Sequence, residues 1–207
     1  MIKYPKRTPV IILLSSNNQI LKQYLQPNAT VGFIPTASEL DDDRWYMEKD
    51  RTAITNMGFN VIDIEISSES KTETTDKLAH VDAVFVAGGN TFYLLQKLTE
   101  KDVLSNLADF ARHKTYIGAS AGSCIACPSI DYLDKLDDKN QAPLLAQYNA
   151  LNLVDFYILP HYNSKDKYTN VANQIEAAYP NRKFIKLPDN QAVIVNEKGS
   201  YEIVATA

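Results

Sequence analysis

The sequence predicts an α/β protein built on a mostly parallel sheet with helices on both faces. Three observations carry that prediction. Short β-rich runs alternate with longer amphipathic stretches along the 207 residues, the order expected of strand–helix–strand units. The run Val10–Leu14 is apolar at every position, as a strand covered on both faces must be. Punctuation falls between the runs, with Pro35 stopping one strand and Gly58 ending one helix.

Taken in order, Val10–Leu14 is the first strand, Asn18–Leu25 a short helix and Val31–Ile34 the second strand. A helical pattern covers Asp41–Met57, with Asp41-Asp42-Asp43 as its solvated first turn and Trp45 on its packing surface. Phe59–Ile66 is the third strand, and the polar stretch Ser67–Thr75 a surface loop leading to a short helix that ends near His80. Val81–Ala87 is a strand running into Gly88-Gly89-Asn90-Thr91 and then a helix to Leu98; a further helix spans Val103–His113. Thr115–Ala119 is a strand and Ala121–Cys127 the start of a helix, after which residues 128–150 read as irregular. Phe156–Leu159 is a strand ending at Pro160-His161, and Asp166–Tyr179 a helix. Phe184–Leu187, Ala192–Asn196 and Tyr201–Ala205 are strands, the last two alternating as an antiparallel edge hairpin. Neither a repeat nor a linker interrupts residues 1–207, so one domain is expected.

Composition narrows the function. Apolar residues make up 45% and charged residues 22%, and 21 Lys and Arg stand against 25 Asp and Glu for a net charge of −4. The basic residues are scattered, so no nucleic-acid partner is expected. No apolar run approaches the roughly 20 residues of a membrane helix. Lys3, Lys6 and Arg7 precede an apolar stretch too short for a secretory signal and read as a basic lead into the first strand. With two cysteines only, a cytoplasmic address is expected.

In parallel sheets, ligands bind where loops leave the carboxyl ends of strands. The turns after Ala87, Ala119 and Leu159 qualify. Gly118-Ala119-Ser120-Ala121-Gly122 lies between a predicted strand and a predicted helix, the context of a nucleophile elbow. Small neighbours let the turn tighten until the hydroxyl stands above the sheet edge. A plain glycine-bounded helix start is the competing reading. A serine hydroxyl needs a base within reach, and the chain holds three histidines. His80 and His113 sit at helix ends where a cation suits the dipole; His161 ends a strand on the same edge as Ser120. His161 is therefore the candidate base. Oxyanion donors would be the N–H of Ala121 and those of Gly88 and Gly89, unless the glycine turn is a simple cap or a phosphate cradle. Cys124-Ile125-Ala126-Cys127 has redox spacing but no second ligand pair, and reads as core filler. No metal or cofactor is called for.

A group that orients the imidazole must approach its other nitrogen. Asp189, after Leu187-Pro188 at the end of a neighbouring strand, is placed to do so. Asp131, Asp134, Asp137 and Asp138 in the irregular loop remain alternatives.

Gly88-Gly89-Asn90-Thr91-Phe92, Tyr116–Ser123 and Leu159-Pro160-His161-Tyr162 together resemble the peptidase S51 family, which includes dipeptidase E and cyanophycinase. The resemblance extends from Val31–Thr36 to Leu187-Pro188-Asp189. It implies a flavodoxin-like three-layer sandwich similar to class I glutamine amidotransferases, with a serine replacing their cysteine. It further implies a serine peptidase acting on small peptides, with Ser120 as nucleophile, His161 as base, and Gly88 or Gly89 with Ala121 as the oxyanion hole. Two departures stand out. Dipeptidase E carries its acid fifteen residues after the nucleophile, where this chain has Lys135; the cyanophycinase arrangement, with the acid after the histidine, points to Asp189. Dipeptidase E also reads an N-terminal Asp with an arginine on the helix after its histidine, whereas Tyr168–Asn173 contains none, so that preference is not expected unless Lys165, Lys167 or Arg182 substitutes. An esterase or amidase using the same Ser and His, and a non-catalytic flavodoxin-like binding module, are the competing functions.

Overall fold

The computed structural model describes residues 8–16 and 18–206; Lys3, Lys6 and Arg7 lie outside the described residues. Its strands are β1 (Ile11–Leu14), β2 (Thr30–Ile34), β3 (Asn60–Asp63), β4 (Ala83–Val86), β5 (Thr115–Ala119), β6 (Tyr157–Leu159), β7 (Phe184–Lys186), β8 (Gln191–Val195) and β9 (Tyr201–Ala205). The α-helices are α1 (Trp45–Asn56), α2 (Lys71–His80), α3 (Thr91–Glu100), α4 (Leu104–His113), α5 (Ala121–Cys124) and α6 (Asp166–Ala178). Seven strands form one sheet in the order β3-β2-β4-β5-β1-β8-β9. The first five run parallel, and β8 and β9 are antiparallel.

Successive side chains of a strand point to opposite faces, and the core divides accordingly. Ile12, Leu14, Phe33, Phe85 and Ile117 pack on one face beneath Ile20 and Leu21 and the Met47–Ile54 stripe of α1. Leu13, Ile34, Val84, Val86 and Tyr116 pack on the other, against α3, α4 and α6. Phe33 and Phe85 are register partners on β2 and β4 and stack with ring centroids 5.4 Å apart. Burial of such a side chain contributes about 1.5–3 kcal/mol, so these strands anchor the sheet. The result is three layers, helices on both faces of the sheet.

Several expectations are corrected locally. The expected helix Asn18–Leu25 is a 3-10 turn over Gln19–Gln23. Asp41-Asp42-Asp43 precedes α1 instead of forming its first turn: Asp43 Oδ1 accepts the Trp45 N–H at 3.1 Å and Asp41 accepts the Tyr46 hydroxyl. Trp45 packs no core; it is 62% exposed, edge-on to Tyr46. The third strand shortens to Asn60–Asp63. The expected loop Ser67–Thr75 gives way to α2 at Lys71, because Ser70 and Glu73 form a capping box, the S-x-x-E signature present in the sequence. The helix expected over Ala121–Cys127 ends at Cys124.

The largest difference concerns β6 and β7. They pair only with each other, Tyr157 to Phe184 and Leu159 to Lys186, as a separate two-stranded parallel sheet. Ile158, Leu159, Ile185 and the adjoining Leu187 are buried on the Leu13, Val84 and Tyr116 side of the main core. Apolar packing against that part of the core holds the pair in place. Among the described residues, no helix is long and apolar enough to cross a membrane.

Candidate active site

Ser120 follows β5 at φ 49°, ψ −106°, a conformation that costs roughly 1–3 kcal/mol for a non-glycine residue and persists only where its surroundings enforce it. The surroundings do. The Ser120 N–H donates to Leu14 O at 2.9 Å, and its carbonyl accepts the N–H groups of Ser123 and Cys124 at 2.9 and 3.0 Å. The Ser123 hydroxyl sits between the carbonyls of Leu14 (2.7 Å) and Gly118 (2.8 Å), and the Tyr116 hydroxyl donates to Gly122 O at 2.6 Å. The glycines are required by contact: a Cβ on Gly118 would lie 2.2 Å from Gly122 O, and one on Gly122 would lie 2.0 Å from Val86 O. The G-x-S-x-G spacing is thus the price of packing a strand-to-helix turn against β4.

His161 approaches from the other sheet. β6 carries it to the same edge, and its own φ of 59° turns the ring toward β5. Ser120 Oγ and His161 Nε2 are 2.9 Å apart, and His161 Nδ1 and Asp189 Oδ1 are 2.8 Å apart. With Nδ1 donating to the carboxylate, Nε2 is free to accept the serine proton. The hydrogen bond from His161 holds the Asp189 carboxyl below the usual range; burial opposes this and the Ser15 hydroxyl supports it. Asp189 therefore stays ionised at neutral pH. β7 lies beside β6, and Leu187 and Pro188 carry the chain from its end to Asp189.

Ser15 was not foreseen. Its hydroxyl donates to Asp189 Oδ1 at 2.8 Å and accepts the His161 N–H at 2.6 Å, clamping both residues to the end of β1. The sequence held a usable signal. Ser15 follows the apolar run Val10–Leu14, so β1 also has a carboxyl end, and β1 pairs directly with β5.

The loop acids go elsewhere. Asp131 forms a two-pronged ion pair with Arg182, both contacts 2.7 Å. Asp134 is exposed, and Asp138 Oδ1 accepts the Asn140 N–H. Asp137 accepts the Thr91 N–H at 2.8 Å at the start of α3, and burial pushes its carboxyl up while that bond opposes the shift. A carboxylate thus already occupies the helix start after Gly88-Gly89, which removes the phosphate-cradle reading. Asn90 caps α3 through Tyr93 N–H and donates to Asp138 O at 2.8 Å, pinning the irregular loop to the same turn. Asn90 N–H is taken by Ala37 O and Ser120 N–H by Leu14 O, whereas among the described residues the N–H groups of Gly88, Gly89 and Ala121 have no acceptor. Those three border Ser120.

The sequence model of Peptidase family S51 matches residues 12–203, nearly the whole described chain. The chain belongs to peptidase family S51. It is a serine-type peptidase. It is similar to an uncharacterized peptidase of Pasteurella multocida, 39% identical over 83% of this chain and 83% of the relative. It also resembles a peptidase E of Nostoc, 31% identical over 74% of this chain and 66% of that protein. Among solved structures, a provisional peptidase E of Listeria monocytogenes superimposes with TM-score 0.87 at 32% identity, covering 95% of this chain and 98% of the other.

In this S51 peptidase two cavities meet at Ser120. The larger, about 620 Å³, runs between the end of β1 and α1 and is bounded by Trp45, Tyr46, Asp50, Gly88, Ser120 and His161. The smaller, about 150 Å³, lies on the loop side and includes Asp137, Leu136 and Ala121. Tyr168 of α6 borders both, 5.3 Å from the His161 ring. His80 and His113 end α2 and α4 and so precede β4 and β5, at the opposite edge of the sheet from Ser120. His80 Nδ1 lies 2.7 Å from the Asp76 carbonyl. Lys135 lies 3.2 Å from Gln174 Oε1. Cys124 and Cys127 are free and buried, and burial pushes the Cys127 thiol up to about 12, leaving it protonated and unreactive.

Proposed function

We propose that this peptidase hydrolyses short peptides in the cytoplasm, in the manner of dipeptidase E, through an acyl-enzyme on Ser120. The observation that carries the proposal is the unbroken chain of contacts from Ser120 Oγ through both nitrogens of His161 to Asp189, opening onto bounded cavities. In the first half-reaction, His161 Nε2 takes the hydroxyl proton as Ser120 Oγ bonds to the peptide carbonyl carbon. The carbonyl oxygen becomes an oxyanion facing the N–H groups of Gly89 or Gly88 and Ala121. Collapse breaks the C–N bond, and His161 returns the proton to the departing amine. Water then attacks the ester by the same route, and Ser120 regains its hydrogen. Asp189 holds Nδ1 protonated and stabilises the imidazolium that forms in both halves.

The cavities on either side of Ser120 favour a chain end over a folded protein, which supports exopeptidase action by this single domain. A dipeptide panel tests the proposal. Ser120→Ala and His161→Ala should each lower kcat at least about 10³-fold while the fold persists. Normal turnover by a folded Ser120→Ala protein would remove the reading.

A further inference from the structure

We infer that Asp50 is the specificity-determining residue of the larger cavity and selects peptides carrying a Lys or Arg side chain beside the bond cut at Ser120. The inference rests on the proposed peptidase chemistry and adds a substrate class to it. Trp45, Tyr46, Lys49, Asp50 and Ala53 all border this cavity, and their spacing places them along one side of α1. Tyr46 stands at the Ser120 end, since its ring edge would lie 3.8 Å from a Cβ on Gly88. Asp50 is one helical turn farther, about 6 Å along the axis. The α-ammonium of the residue being attacked is only two bonds from its carbonyl carbon, whereas a lysine side chain carries its ammonium four carbons beyond Cα, a reach suited to a carboxyl set one turn along α1 in the same cavity.

Among the described residues, no Lys or Arg forms an ion pair with the Asp50 carboxyl. Among the described residues its oxygens accept one hydrogen bond, from Asn18 Nδ2 at 3.1 Å. Burial pushes Asp50 up to about 7, and the nearby Lys49 only partly opposes this. The Lys49 ammonium lies 6.0 Å from the Trp45 ring centre, and that of Lys167, on α6, lies 5.8 Å from the ring centre of Tyr168. Arg182 is committed to Asp131 and stacks on Tyr157 and Tyr179, so it is not free to read an acidic side chain. A bound ammonium or guanidinium would pair with Asp50 within a partly desolvated wall, where such a bond is strong.

Paired dipeptides differing only in Lys against norleucine, placed on either side of the cut bond, test the inference. Wild type should favour Lys in kcat/KM by at least about tenfold at one position. Asp50→Asn should bring that ratio near one, Asp50→Glu should keep part of it, and Lys49→Ala should raise it. A wild-type ratio near one at both positions, with Ser120-dependent cleavage of the norleucine peptides, would overturn the inference and leave the peptidase chemistry standing. So would a ratio that survives Asp50→Asn. If no dipeptide is cleaved, the proposed chemistry itself fails. Calorimetric binding of the same peptides to Ser120→Ala then reads Asp50 independently, with tighter binding of Lys expected and equal binding overturning it.

Discussion

The turn that carries Ser120 and the limb that carries His161 and Asp189 meet at one point but are held by different means. The turn belongs to the seven-stranded sheet; it is fixed by backbone hydrogen bonds to β1 and by two glycines that touch carbonyls of their neighbours. The limb hangs from two three-residue strands outside that sheet, and its polar ends are tied to β1 by the single hydroxyl of Ser15. His161 and Asp189 side chains remain 28% and 43% exposed. Packing within the main sheet, with the buried Ser123 and Tyr116 hydroxyls, therefore fixes Ser120, whereas the His161 and Asp189 side chains are fixed by hydrogen bonds near the surface. Apart from Ser120 itself, substitutions in the first region should act on stability, and those in the second on turnover.

Asp189→Asn gives the largest expected effect of this kind. The amide keeps the size of the carboxyl but can donate to Nδ1, which favours the wrong imidazole tautomer; kcat should fall about 10⁴-fold with little change in melting temperature. Measured beside it, Asp134→Asn, Asp137→Asn and Asp138→Asn should each retain far more activity. A loss confined to one of the loop variants would transfer the role to that loop. Gly122→Ala should do the opposite. Its Cβ meets Val86 O at 2.0 Å, so the elbow or β4 must shift. Such overpacking costs about 3 kcal/mol, or about 6–12 °C in melting temperature for a chain of this size. An unchanged melting curve would show that the turn is looser than its contacts imply.

Ser15→Ala is the smallest of the three and sharpens the contrast most. It leaves the His161 N–H unpaired and removes one donor from Asp189, so kcat should drop about tenfold with KM nearly preserved. Ser15→Thr should restore most of the loss, because the hydroxyl is kept. Equal damage from Ser15→Ala and Ser15→Thr would mean that packing, not the hydrogen bond, matters at the end of β1.

The same contrast explains what could be read from the sequence. Gly118–Gly122 is legible because its constraints are local: strand, tight turn and helix follow one another within a few residues. His161 and Asp189 were reachable by placement, since each follows a strand, though the sequence did not indicate that β6 and β7 leave the main sheet. Ser15 escaped because its role depends on β1 lying between β5 and β8, a pairing across 100 residues or more that periodicity does not encode. Asp50 escaped for a similar reason. On α1 it is one charge among several, and only the cavity between α1 and β1 distinguishes it.

The central claim is that Ser120 is the nucleophile and His161 its base. A fluorophosphonate ester tests this directly, because serine attack at phosphorus expels fluoride and leaves a stable adduct whose site can be mapped by mass spectrometry. The account predicts one adduct per chain, on Ser120, absent from Ser120→Ala and formed far more slowly in His161→Ala. An adduct on Ser123 or Ser15, or undiminished labelling of Ser120→Ala, would contradict it.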